Sequence, residues 1–253
     1  MAKVALQLSM LRDFAQKDLL GVIKRAGEMG YPAIEFSGYY GAKISEVKKA
    51  LSESGLEAIG SHYSINWQDL KNMGRDLARE IDYAQQLGIP NIVTPWVPIQ
   101  ENPAMDDVDH LASVIEKVAL QVHAAGLKYG YHNHVGEFIS VNGKPIIDHL
   151  MHRIPSELMF LELDLGWVYI AGYKPAEYIR TYAGRVPLIH FRDLGQQRKD
   201  TEIGNGIVNF NQVFKEADPA GVQYFIVTQE QFEVSSMDSA KLSLLYFKSR
   251  GLV

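Results

Sequence analysis

Short apolar runs alternate with longer stretches in which hydrophobic residues recur every third or fourth position, and the alternation persists along the whole chain. Apolar runs bounded by turn residues read as strands buried on both faces, whereas the stripes of helical period read as helices that cover one side of a sheet. The runs predict strands at Val4–Leu8, Ala33–Phe36, Glu57–Ser61, Asn91–Pro95, Lys128–Asn133, Met159–Asp164, Pro187–Phe191 and Tyr224–Thr228. Between them, Leu19, Val22, Ile23 and Ala26 fall at i, i+3, i+4 and i+7, as do Leu111, Val114, Ile115 and Val118. Gly30, Gly55, Gly88, Gly126 and Gly221 each stand just ahead of a predicted strand, where a left-handed residue ends a helix and turns the chain.

Strand and helix in strict alternation predict an α/β fold with parallel strands. An open doubly wound sheet shares that alternation, but the first strand leads into LQLSMLRD rather than a glycine-rich phosphate loop. Eight units in 253 residues match the roughly 250 residues of one closed barrel. The expectation is a single (β/α)8 TIM barrel domain spanning residues 1–253, with no linker or low-complexity segment.

Composition narrows the chemistry. Hydrophobic residues at 47% and charged residues at 22% are those of an ordinary globular chain. A net charge of −5, with Lys and Arg scattered, argues against nucleic acid as a partner. The absence of cysteine excludes disulfides, thiolate ligands and a cysteine nucleophile, so any metal must rest on His, Asp or Glu. The first apolar run meets Arg12 and Asp13 too early for a signal sequence, and no stretch is long enough for a membrane span. A cytoplasmic protein with no membrane partner is expected; whether it forms a homo-oligomer is left open.

In a barrel of this kind the reacting groups lie at the C-terminal ends of the strands. Four of the eight histidines fall there: His62 in SHYS, His132 and His134 in YHNHVGEF, and His190 in IHFRD. Trp96, Glu137, Glu162, Asp164, Trp167, Arg192 and Glu230 fall at the same ends. Strand alternation puts His132 with His134, Glu162 with Asp164, and His190 with Arg192 on shared faces. If those faces point inward, His132, Asp164 and His190 converge on one divalent ion, Mn, Co, Mg or Zn. A buried ion pair is the competing reading for Asp164 and His190, and His134 and Glu137 compete with His132 as ligand. Glu162, one layer below Asp164, is either a buried partner behind the metal ligands or a structural carboxylate paired with a cation such as Arg192, the structural role being slightly favoured. Trp96 and Trp167 can stack on a sugar or simply pack. His62 suits a hydroxyl or a proton shuttle, and Arg192 a carboxylate or phosphate. Gly204 and Gly206 are expected to bracket a flexible loop.

The segments LQLSMLRD, AIEFSGYYG, SHYS, YGYHNHVGEF, ELDLGWVYIAG, IHFRD and GNGIVNF resemble the sugar phosphate isomerase/epimerase family of xylose-isomerase-like barrels. That family includes inosose dehydratases and ketose 3-epimerases, and the similarity runs over essentially the whole chain. The resemblance implies one divalent metal held by Glu, Asp, His and Glu from the fifth to eighth strands. Asp164 and His190 match their slots, His132 takes the fifth, and Thr228 stands where the last glutamate would be. Gln7 and Glu35 are implied as rim contacts to substrate. Asn205 and Asn209 depart from the Glu and Asp usual at their positions, which is expected to loosen the loop after the seventh strand.

The implied reaction is proton abstraction next to the carbonyl of a keto-sugar or keto-polyol, giving a metal-dependent isomerase or epimerase. His134 or Glu137 would serve as base, and His62 or Glu230 would pass protons. The family's epimerases use the fifth- and eighth-strand glutamates as their acid/base pair. Their replacement by His132 and Thr228 moves weight toward a dehydratase or lyase of the inosose dehydratase kind. A sugar-binding relative that lost catalysis with the eighth-strand ligand is the alternative from another class. An abasic-site endonuclease on the same barrel would need further ligands and a DNA-attracting surface, which the sequence does not show.

Overall fold

The computed structural model describes residues 2–253, and the predicted strands all form, each within a residue or two of its expected bounds. They are β1 (Lys3–Gln7), β2 (Ala33–Phe36), β3 (Glu57–His62), β4 (Asn91–Thr94), β5 (Lys128–His132), β6 (Phe160–Asp164), β7 (Leu188–Phe191) and β8 (Tyr224–Val227). Each pairs in parallel with its sequence neighbours, and β8 pairs with β1 to close the barrel. The helices are α1 (Arg12–Met29), α2 (Ile44–Ser54), α3 (Met73–Leu87), α4 (Met105–Ala124), α5 (Ile146–Arg153), α6 (Leu165–Ile170), α7 (Pro175–Thr181), α8 (Phe210–Ala217) and α9 (Ser236–Ser249). Gly30, Gly55, Gly88, Gly126 and Gly221 all take positive φ at the joints where they were expected to turn the chain. Among the described residues, no helix is long and apolar enough to cross a membrane.

The alternation of each strand sorts its side chains into two environments. Outward residues such as Val4, Leu6, Ile34, Leu161, Leu163 and Ile189 join the helices in one continuous core. Inward residues Ala5, Ala33, Ile59, Val93, Phe160, Leu188 and Ile226 form a separate apolar plug, one from each strand except β5. On β5 the corresponding position is Gly130, where a Cβ would collide with the Phe160 ring. One step further along the strands the inward positions turn polar: Gln7, Glu35, His132, Glu162 and His190, all buried. The apolar plug thus forms the floor on which this polar layer stands.

Strict alternation would send Ser61 inward with Ile59 and His62 outward. An extra residue in β3 prevents this: Ile34 pairs with Ala58, but Glu35 pairs with Gly60. Such a bulge re-aims the side chains beyond it. Ser61 accordingly turns out to donate to Glu80 of α3, and His62 turns in to meet the other histidines.

The loop after β7 is braced rather than loose, contrary to the expectation from Gly204 and Gly206. The Asp193 carboxylate accepts hydrogen bonds from the backbone N–H groups of Leu194, Gly204, Gly206 and Val208. A Cβ at Gly206 would overlap that carboxylate, so the glycine admits the brace. Asn209 does not loosen the next element either, since its side chain caps α8 at Gln212 N.

Candidate active site

Six strands deliver one polar cluster. Glu162 Oε2 lies 2.9 Å from His62 Nε2, 3.1 Å from His132 Nδ1 and 3.2 Å from His190 Nε2. Across the barrel, Glu35 Oε2 accepts from Gln7 Nε2 at 2.7 Å and lies 2.8 Å from His190 Nε2 and 3.4 Å from His62 Nε2. The His62 and His190 rings stack, with centroids 5.7 Å apart. Gly60 makes room for the second carboxylate, because a Cβ there would come 2.5 Å from Glu35 Oε1.

Burial alone would neutralise such groups, and mutual attraction reverses that outcome. Burial pushes the Glu35 carboxyl up, but the His62 charge and hydrogen bonds from His190 and His62 hold it well below its usual range. Glu162 is likewise opposed by burial and by the Glu35 charge, yet the three histidines bring it down to about 2. Burial lowers His62 and His190, while Glu35 and Glu162 raise them to about 9 and about 10. His132 goes the other way: burial and the neighbouring His190 charge hold it well below the usual imidazole value.

One ligand atom from each of His62, His132, Glu162 and His190 lies within 4.8 Å of those of the other three, so the four can hold one ion. Two further observations fit a cation there. Glu162 Oε1 is buried without a hydrogen-bond partner, which is costly for a carboxylate unless something cationic meets it. Three imidazoles and a carboxylate are also the donor set that suits Zn, Mn, Co or Fe better than Mg.

The sequence-derived candidates are placed as follows. His132 and His190 belong to the four-residue group, and His62, expected as a proton carrier, stands in it with them. Asp164 lies one layer higher: its Oδ1 caps α6 at Trp167 N, its Oδ2 accepts from Arg192 Nε at 3.0 Å, and its closest approach to the cluster is 3.9 Å from His132 Nε2. Glu162 does not pair with Arg192 as expected, because it stands level with His132 across the β5–β6 register while Asp164 stands level with His190. Gln7 and Glu35, expected at the rim, are fully buried in the polar layer.

Above that layer, Arg192 donates to Asp164, Asp200 and Glu230 and lies over the Trp167 ring at 4.9 Å. Glu230 remains half-exposed, and Trp96 is 52% exposed beside the mouth. His134 packs against His132 and Trp167, with Nδ1 buried and unpartnered. Burial depresses its pKa, so the ring is neutral and free to take a proton. Glu137 is engaged by Tyr131 Oη at 2.6 Å and by the His134 backbone N–H at 2.9 Å, a brace for the turn after β5. Thr228 is buried beyond β8, with its N–H on Phe191 O. Asp200 carried no sequence signal, since it lies past the end of β7 and is brought back only by a short antiparallel pairing of residues 200–201 with residues 193–194. Gly166 did have one, as the small residue of LDLGW: a Cβ there would come 2.5 Å from Arg192 Cδ.

Comparison with known proteins agrees with this architecture. The family described as "Xylose isomerase-like TIM barrel" matches residues 23–249. An inosose dehydratase of Bacillus cereus is 22% identical over 238 residues, covering 80% of this chain and 78% of the relative. A sugar phosphate isomerase/epimerase from Parabacteroides distasonis superposes with a TM-score of 0.85 at 22% identity, covering 100% of this chain and 95% of that one. The probable 3-DHS dehydratase of Bacillus anthracis superposes with a TM-score of 0.77 at 13% identity, covering 98% and 99%.

Proposed function

The chain belongs to the xylose isomerase-like TIM barrel family, and from that premise we propose that it is an enzyme of the isomerase, epimerase or dehydratase type acting on a keto-sugar or keto-polyol. The observation that carries the reading is the buried cluster of His62, His132, Glu162 and His190 beneath a mouth that holds one unengaged base, His134. Relatives named inosose dehydratase support a polyol ketone as the substrate class.

His62, His132, Glu162 and His190 would hold a divalent cation, which when bound polarises a carbonyl and steadies the negative charge formed beside it. The protein's own groups do the rest. Trp167, packed against His134 and Arg192, would cover one side of the substrate, and the exposed ring of Trp96 after β4 would offer it a second apolar face. His134, neutral at physiological pH, takes the proton from the carbon next to the carbonyl on Nδ1. Return of a proton to the same carbon from the opposite face gives epimerisation, protonation of the former carbonyl carbon gives isomerisation, and departure of a neighbouring hydroxyl as water, carrying the proton that His134 took, gives dehydration. Glu230, half-exposed beside the mouth, is placed to exchange protons with solvent.

The test is a screen of inososes and ketoses with added Mn, Co, Zn or Mg, comparing the native chain with Glu162→Gln and His134→Asn. Turnover of one substrate is expected to fall by about 10²–10⁴ on loss of His134. A product lighter by one water separates dehydration from isomerisation or epimerisation, which leave the mass of the substrate unchanged. Equal turnover by His134→Asn would remove it as the base.

A further inference from the structure

We propose that Arg192 is a positioning residue that keeps Asp164 away from the bound cation, so that the ion sits one layer deeper among His62, His132, Glu162 and His190. The inference rests on the metal centre just described and adds what keeps the second inward carboxylate of β6, Asp164, out of it.

The two candidates stand on opposite edges of one imidazole. His132 presents Nδ1 to Glu162 at 3.1 Å and Nε2 to Asp164 at 3.9 Å. A ring that binds an ion through one nitrogen leaves the other to a carboxylate that orients it. Glu162 lies within hydrogen-bond reach of the ring and Asp164 beyond it, so the two carboxylates compete from opposite edges for an ion that His132 binds, and Asp164 as it stands does not hold the ring.

Engagement decides between them. Glu162 Oε1 is buried without a partner, whereas both oxygens of Asp164 are taken, by Trp167 N and by Arg192 Nε. Arg192 in turn is fixed at every edge. Asp200 holds Nη1 at 2.7 Å, Glu230 holds Nη2 at 2.9 Å, the Trp167 ring lies against its plane, and Gly166 abuts its stem. Asp164 cannot turn toward the cluster without uncapping α6 and leaving a buried guanidinium N–H unmet, and Arg192 cannot follow it. Sequence position favours Asp164 as the ligand; the grip of Arg192 favours Glu162.

Cobalt binding tests this without reference to turnover. Binding would be measured by the visible spectrum and by metal content for the native chain, Asp164→Asn, Glu162→Gln, Arg192→Met and Arg192→Met/Asp164→Asn. We expect Asp164→Asn to change affinity by less than about threefold and Glu162→Gln to weaken it by about tenfold or more. Arg192→Met should alter the cobalt spectrum, because Asp164 is freed to compete for the ion, and the added Asp164→Asn change should restore the native spectrum. If Arg192→Met fails to fold, the cobalt spectrum of Asp164→Asn decides, since it should superimpose on that of the native chain. A tenfold loss or an altered spectrum in Asp164→Asn overturns the proposal, as does native-like binding by Glu162→Gln, and neither touches the reading of a metal-dependent enzyme. A native chain that takes up no cobalt overturns the metal centre itself, and this proposal with it.

Discussion

Replacing Glu162 by Gln removes one charge from the centre of the barrel and tests the electrostatic account directly. Its Oε2 faces three imidazole nitrogens at 2.9, 3.1 and 3.2 Å, and the residue is fully buried. A glutamine can still accept a hydrogen bond but offers no charge, so His62 and His190 lose one of the two carboxylates that keep them protonated. Removing one partner of a buried ion pair costs about 3–5 kcal/mol, a large share of the roughly 5–15 kcal/mol that holds a typical domain together. Glu162 is lowered from 4.5 to about 2, so its contribution is full above 4.5 and lost as pH falls through 2. His62 and His190 are raised from 6.5 to about 9 and about 10, so theirs is full below 6.5 and lost as pH rises through those values. These are the same ion pairs seen from both partners, and the effect is counted once. Urea unfolding of chelator-treated protein should therefore show the largest gap between native chain and variant from pH 4.5 to 6.5, shrinking toward pH 10. A gap under about 1 kcal/mol at pH 6, or one that widens toward pH 10, would refute the reasoning.

Gly166→Ala places a Cβ 2.5 Å from Arg192 Cδ, and should cost about 1–3 kcal/mol by thermal or urea unfolding. Asp193→Ala leaves Leu194, Gly204, Gly206 and Val208 N–H groups without their acceptor, and should destabilise by more than about 2 kcal/mol and expose residues 194–209 to limited proteolysis. Because burial lowers His134, the acid limb of kcat/KM should fall below 6.5, the rate holding above it and dropping as the ring protonates; a limb above 6.5 would exclude this base.

Much of the site was readable as a set of positions but not as a set of partners. His132, His134 and His190 announce themselves as inward residues at strand ends, because a period of two fixes which face a strand residue takes. Glu162 and Asp164 share that face, so periodicity could not say which of them meets the histidines. The bulge in β3 that turns His62 inward is equally silent in the sequence, since it shows only in the pairing of Glu35 with Gly60.

By itself the sequence determined the eight strands, the glycine joints, the closed parallel barrel and the concentration of imidazole and carboxylate at one rim, because each follows from local period and turn chemistry. Only the tertiary structure decided depth. The stagger of β5, β6 and β7 sets Glu162 level with His132, and groups as distant in the chain as Asp164, Asp200 and Glu230 close on Arg192. Stagger is a property of the closed sheet and ion pairing a property of the fold, so neither is written in any short stretch of residues.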